Sequence, residues 1–187
     1  MYIISGKYKG FKLKLVPSKK TKSTTHLIRK VIFDTLGSWL KNKYVLDLFS
    51  GSGACGFEAL SRNAKKIYLV DNSLSAIKTI YKNKIKLDLT SSNFKLFFGD
   101  YSRILKIFLK KKIFFDLIIV DPPYNFNFYC SLLKNLNLII KDNGFIICEI
   151  YKKVFLPNKI DRLNLVKDKQ HGSKKIKFYQ KKKIKYN

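Results

Sequence analysis

The sequence predicts an α/β fold: a Rossmann-like, doubly wound, mostly parallel sheet of seven strands, preceded by a β-hairpin and helix extension. Three observations carry that prediction. Short apolar runs at residues 44–49, 66–70, 94–98, 115–120 and 145–150 alternate with segments of helical spacing, the pattern of a parallel sheet covered on both faces. A glycine turn, Gly51-Ser52-Gly53-Ala54-Cys55-Gly56, follows the first run. Acidic residues recur at the ends of the runs in a chain otherwise rich in lysine.

Taken in order, residues 2–16 read as a hairpin that turns between Gly6 and Gly10, with Phe11, Leu13 and Leu15 alternating with Lys12 and Lys14. Residues 17–23 form a basic, Ser/Thr-rich loop. Thr24 or Thr25 can cap a helix that carries Leu27, Ile28, Val31, Ile32, Leu36 and Leu40, with Trp39 in its apolar face. Helices near 54–62, 73–87, 102–109 and 128–137 follow the first four strands. After Pro157, strands at 163–166 and 174–179, joined through His171-Gly172-Ser173, make an antiparallel edge pair. A chain of 187 residues suits a single domain over 1–187. Its parts are a basic hairpin and helix (1–41), a ligand-binding core (42–180) and a frayed basic tail (181–187). The sheet begins only near Tyr44, so residues 1–23 are expected to be dispensable for folding.

Thirty-nine basic against twelve acidic side chains give a net charge of +27. Such a field attracts polyanions, nucleic acid first and anionic membrane second. Arginines number four and lysines 35, so part of the charge reflects lysine-rich composition. No apolar run approaches the ~20 residues of a membrane helix, and the first residues lack the regions of a signal peptide. The expected location is the cytoplasm, without membrane attachment. Cys55, Cys130 and Cys148 stand far apart without metal spacing and read as small buried hydrophobes in a reducing compartment. No metal is expected.

Ligands of an open parallel sheet bind beyond the C-terminal ends of its strands. Asp47, Asp71, Asp100, Asp121 and Glu149 all fall there, five of twelve acids on one rim. Gly51-x-Gly53-x-x-Gly56 with Asp71 twenty residues after Gly51 matches a dinucleotide fingerprint. Asp47, however, stands four residues before Gly51, where it would repel a pyrophosphate. It favours a cofactor with an ammonium and a sulfonium, S-adenosylmethionine. The glycines allow close backbone approach, Asp71 takes ribose hydroxyls, and Asp100 accepts from the adenine amino group. Phe49, Asn72 and Tyr101, each beside one of these groups, complete the expected cofactor site.

The fourth strand ends in Asp121-Pro122-Pro123-Tyr124. Two prolines fix φ and bar a helix at Asp121 and Pro122, holding a carboxylate, the Pro122 carbonyl and an aromatic ring together. An exocyclic base amine needs such a set, because its lone pair is delocalised into the ring. Acceptors on its hydrogens release that lone pair and stabilise developing positive charge. Tyr124 can stack on the base, a contact worth ~1–3 kcal/mol.

Together these segments resemble the bacterial small-subunit rRNA guanine-N2 methyltransferases, the enzymes that act on guanine 966 of 16S rRNA. The likeness runs through Ile4-Ser5-Gly6-Lys7-Tyr8-Lys9-Gly10, Thr21 to Thr25 with Arg29 and Phe33, Val45 to Gly53, Glu58 to Arg62, and Asp121 to Tyr124. The glycine loop and Pro-Pro motif occur in many methyltransferases, whereas the N-terminal segments point to this family. The resemblance implies a class I methyltransferase fold, transfer of a methyl group from S-adenosylmethionine to guanine N2, and a partner in the assembling small ribosomal subunit, with the protein acting as a monomer. It also implies RNA docking through Lys7, Lys9, Lys22, Thr24 and Arg29. Lys22-Ser23 replaces the family's usual Arg-Pro, and His26 stands where an acid is common. Asp71 replaces the more usual Glu. His26 and His171 have no evident acid–base partner and read as passive. Rival readings are an adenine-N6 nucleic-acid methyltransferase, whose motif is also Asp-Pro-Pro-Tyr, and a non-catalytic RNA-binding or assembly factor that retains the fold.

Overall fold

A computed structural model describes residues 1–17, 26–123 and 128–183. The five apolar runs are β1 (Tyr44–Leu48), β2 (Lys66–Asp71), β3 (Phe94–Phe98), β4 (Phe115–Val120) and β5 (Ile140–Tyr151). Helix α1 (His26–Leu36) precedes β1, and α2 (Ala54–Ser61), α3 (Leu74–Lys86), α4 (Tyr101–Lys110) and α5 (Tyr129–Asn137) alternate with the strands. Strands β6 (Lys159–Ile160), β7 (Leu163–His171) and β8 (Lys174–Lys181) close the order β3-β2-β1-β4-β5-β8-β7-β6. Strands β1 to β5 pair in parallel and β5 to β8 antiparallel.

Side chains alternate across the sheet and feed two cores. Ile32 and Phe33 of α1, Phe57 of α2 and Ile80 of α3 pack with Val45, Leu117 and Ile147 on one face. Ile104 and Phe108 of α4 and Leu132 and Leu136 of α5 pack with Leu46, Ile118 and Ile146 on the other. This is the doubly wound arrangement that the alternation of strands and helices predicts.

Several details depart from expectation. The sheet has eight strands because β6 pairs with β7 over Lys159 and Ile160, a stretch too short to show periodicity. The C-terminal pair β7 and β8 is antiparallel and extends the sheet from β5 as expected, with β8 next to β5. Strand β5 starts at Ile140, five residues before the apolar run, and its register against β4 shifts between Phe115 and Leu117. The first helix ends at Leu36, because Gly37 takes φ +52° and opens a 3-10 turn over Gly37–Leu40. Trp39 in that turn is half-buried, edge-on to Phe145 at 4.9 Å. Cys55 and Cys148 are buried, but Cys130 is exposed.

The N-terminal hairpin is built into the core. Its arms join through Ile3 N–H to the Phe11 carbonyl (3.0 Å) and Leu13 N–H to the Met1 carbonyl (2.8 Å), with one ladder bridge at Tyr2 and Lys12. Ile3 and Leu13 are each 2% exposed. Glu58 of α2 is fully buried and accepts from the amides of Ile4 (2.7 Å) and Ser5 (3.1 Å) and from Arg62 Nε (2.8 Å). Gly6 has φ +83°, and a Cβ there would fall 1.8 Å from the Ser61 carbonyl oxygen. These contacts build residues 1–14 into the fold and argue against the expectation that the N-terminal segment is dispensable for folding.

Candidate active site

The rim where β1 and β4 lie side by side is the point at which the strand order reverses, and the acidic residues gather there. Asp47 is the fourth residue of β1 and is 4% exposed. Its Oδ2 accepts from the Gly56 amide at 2.9 Å. Burial pushes its acid up to about 8, against the lowering effect of that amide and with the negative charges of Asp121 and Asp71 adding to the rise. Asp71, at the end of β2, accepts from the amides of Gly51 and Ser73, both at 2.8 Å. Burial raises its pKa while its backbone donors, Ser73, Gly51 and Asn72, pull it down. Leu48 of β1 pairs with Val70 on one side and Val120 on the other, so the strand ends that carry Asp71 and Asp121 flank the one that carries Asp47.

Between them the chain turns sharply. Phe49, Gly51 and Gly53 have φ of +67°, +54° and +78°. Phe49 is the costly one, since a side chain in the left-handed region is strained, and its ring meets Tyr101 at 5.2 Å. Among the described residues nothing lies within 4 Å of the position a Gly51 Cβ would take, whereas a Cβ on Gly56 would sit 2.3 Å from Leu69 Cδ2. Gly56 therefore seats α2 against β2, and Gly51 leaves the rim open to a ligand. Asp100 caps α4: its Oδ1 accepts from Ser102 N–H (2.8 Å) and Oγ (2.6 Å), and Ser102 holds its pKa down.

These groups fit S-adenosylmethionine. In a protein of net charge +27, Asp34, Glu58, Asp116, Asp142, Glu149 and Asp168 form ion pairs with basic side chains. Among the described residues, Asp47, Asp71 and Asp100 are held by backbone amides and a serine hydroxyl. A buried acid raised to about 8 and held by an amide is placed to ionise against a cationic ligand.

Asp121 follows β4 directly, half-buried, with Pro122 buried and Pro123 exposed. Tyr124, Lys22 and Thr24 lie outside the described residues. Asn72 follows β2 as expected, and Lys7 and Lys9 are exposed. Arg29 is a correction. It is fully buried and donates from Nη2 to the Tyr2 carbonyl at 2.9 Å. Burial lowers its pKa, against the influence of Cys55 and Glu58. It shares the buried stripe of α1 with Phe33 and Leu36, four and seven positions on, so it ties the hairpin to the helix and presents no charge to RNA. Lys181 is a second correction: the expected start of a frayed tail ends β8, 8% exposed, with Nζ bonded to the carbonyls of Asn137 (2.7 Å) and Ile140 (2.8 Å).

Two polar anchors escape sequence reasoning. Glu58 is one. The other is Asn83, fully buried, which accepts from the Lys14 amide (2.8 Å) and donates to the carbonyls of Lys14 (3.0 Å) and Ser52 (3.1 Å). Both bind backbone groups distant in sequence, and only an acid or amide on an otherwise apolar helix face hints at them.

Fold and rim together define a class I methyltransferase that uses S-adenosylmethionine. The profile of a family described as Conserved hypothetical protein 95 matches residues 1–180. Bacillus subtilis YlbH is 33% identical over 183 residues, 97% of this chain and 99% of that protein. Ribosomal RNA small subunit methyltransferase D of Buchnera aphidicola is 34% identical over 158 residues, 82% of this chain and 79% of its own length. The solved structure of Escherichia coli yhhF superposes with a TM-score of 0.79 at 26% identity, covering 97% of this chain and 98% of that one. The chain belongs to the ribosomal RNA small subunit methyltransferase D family.

Proposed function

We propose that this protein methylates the exocyclic N2 of a guanine in small-subunit ribosomal RNA, guanine 966 of 16S rRNA being the expected position. The observation that carries the reading is the strand register of β1 and β4, Leu48 opposite Val120, which sets Asp121, at the head of the Pro122-Pro123 segment, beside the strand end of the buried Asp47. When bound, S-adenosylmethionine supplies an electrophilic methyl group on its sulfonium. Asp47 and the open Gly51 turn hold its methionine end, Asp71 its ribose, and Asp100 its adenine amino group, with Phe49, Asn72 and Tyr101 around them. The Asp121 carboxylate and Pro122 carbonyl accept the hydrogens of the base amine, freeing its lone pair and stabilising charge as it develops on nitrogen. Tyr124 stacks on the base. Pro123 has no amide hydrogen to donate and keeps the turn rigid.

RNA docking falls to the exposed Lys7 and Lys9 with Lys22 and Thr24. A target amine paired within a helix must be unstacked before it can react. With a ribosomal substrate, the protein works in the cytoplasm. Nucleoside mass spectrometry of rRNA from cells with and without the protein tests the assignment. Loss of one N2-methylguanosine from the small-subunit rRNA is expected. Loss of an N6-methyladenosine would move the chemistry to adenine, and an unchanged nucleoside profile would contradict the reading.

A further inference from the structure

A second carboxylate stands beside Asp121. Strands β4 and β5 pair in parallel with Val120 opposite Cys148, so Asp121 and Glu149 are the next neighbours in register. Two residues earlier on each strand, Ile119 and Ile147 both belong to the core on the α1–α3 face, and side-chain direction repeats every second residue. Glu149, within β5 and opposite Ile176 of that same core, points to that face, and a continued alternation past Val120 directs Asp121 there too. Neighbouring strands lie about 4.8 Å apart, so the two carboxylates are within the span of one base edge.

Glu149 is 4% exposed. Lys174 of β8 donates to its Oε1 at 2.7 Å and fixes its orientation. Its Oε2 is buried, and among the described residues no donor reaches it. A carboxylate oxygen accepts only, and a buried acceptor without a donor is rare in folded proteins. Its ion-pair partner Lys174 and its register neighbour Asp121 are both partly exposed.

We propose that Glu149 Oε2 accepts the N1–H of the target guanine, next to the N2 amine held at Asp121, and thereby selects guanine over adenine. Lys174 is its positioning residue. The proposal rests on the guanine-N2 reading above. Guanine offers N1–H and N2–H as adjacent donors, whereas adenine carries a bare acceptor at N1 beside its N6 amine. An acceptor-only oxygen attracts the first arrangement and repels the second.

The test uses reconstituted small-subunit particles carrying either guanine or 2-aminopurine at the methylated position. 2-Aminopurine keeps the exocyclic amine at the same place but has a bare N1. Wild-type protein is expected to favour guanine by at least ~10²-fold in kcat/KM, as sites built around a substrate N–H do. Glu149→Gln can turn an amide N–H toward the bare N1, so the preference should contract by ~10-fold or more, with the affinity for S-adenosylmethionine unchanged by calorimetry. Glu149→Asp keeps an acceptor and should retain the preference at a lower rate. Equal wild-type rates on the two particles, or an unaltered preference in a folded, cofactor-binding Glu149→Gln protein, would overturn the proposal while leaving guanine methylation intact. If wild-type protein fails on the guanine particle, the functional reading falls and the proposal with it.

Discussion

Asp47 sits against Gly56 with its acid raised to about 8, and two measurable consequences follow from that one group. In the unfolded chain an aspartate titrates near 3.8. Between that value and about 8 the folded protein keeps a proton that the unfolded chain has lost. Stability of the ligand-free protein should fall as pH rises across this window, by at most about 1.4 kcal/mol per pH unit. Asp47→Asn should remove that slope, as thermal unfolding of both proteins from pH 5 to pH 8 would reveal. Identical pH profiles would show that Asp47 ionises normally. A cationic cofactor favours the ionised acid, so binding of S-adenosylmethionine at pH 7 should release about one proton more from wild type than from Asp47→Asn. Calorimetry in buffers of different ionisation enthalpy reads that difference. Asp47, the glycine turn and Asp71 were legible in the sequence because they follow from strand ends and spacing. Arg29 was misread because charge outweighed its position on the apolar stripe of α1, alongside Phe33 and Leu36.

Helix α2 is the element that joins the hairpin to the cofactor turn. Its first residues follow Gly53, and its Glu58 and Ser61 receive the amides of Ile4, Ser5 and Tyr8. Glu58→Ala leaves the amides of Ile4 and Ser5 and the Nε of Arg62 without their acceptor and should cost about 1–3 kcal/mol for each buried group that stays unsatisfied. Ile3→Ala should cost about 2–5 kcal/mol through reduced burial and a cavity. Urea unfolding of both variants checks the integration of the hairpin, and wild-type midpoints would mean that the segment is an appendage. The strands and helices of the central sheet were legible because each buries a full periodic face. The two-residue β6 and the early start of β5 were not. Pairing with neighbours fixes their limits: β6 follows the edge of β7, and Ile140 joins β4 only through a register shift.

At the scale of the whole molecule, the lysines of β8 and those of the hairpin differ in how they are held. Lys174, Lys177 and Lys181 are held on β8 by Glu149, Asp168 and backbone carbonyls, which removes much of that strand as an alternative RNA surface. Lys7, Lys9, Lys12 and Lys14 are exposed on the hairpin. Replacing Lys7, Lys9 and Lys12 with Gln should weaken RNA binding and flatten the slope of log affinity against log salt by roughly 0.7–0.9 for each phosphate no longer neutralised. Filter binding over a salt series measures it, and an unchanged slope would move the RNA surface elsewhere. The proposed division of labour, with Asp47 holding the cofactor and Asp121 the base, underlies the functional account. Its most direct test gives purified wild-type and Asp121→Ala proteins methyl-labelled S-adenosylmethionine and small-subunit rRNA particles from cells lacking the enzyme. Wild type should place label in N2-methylguanosine. Asp121→Ala should turn over at least ~10²-fold more slowly while binding the cofactor with wild-type affinity. Label in another nucleoside, or undiminished turnover by Asp121→Ala, would contradict the account.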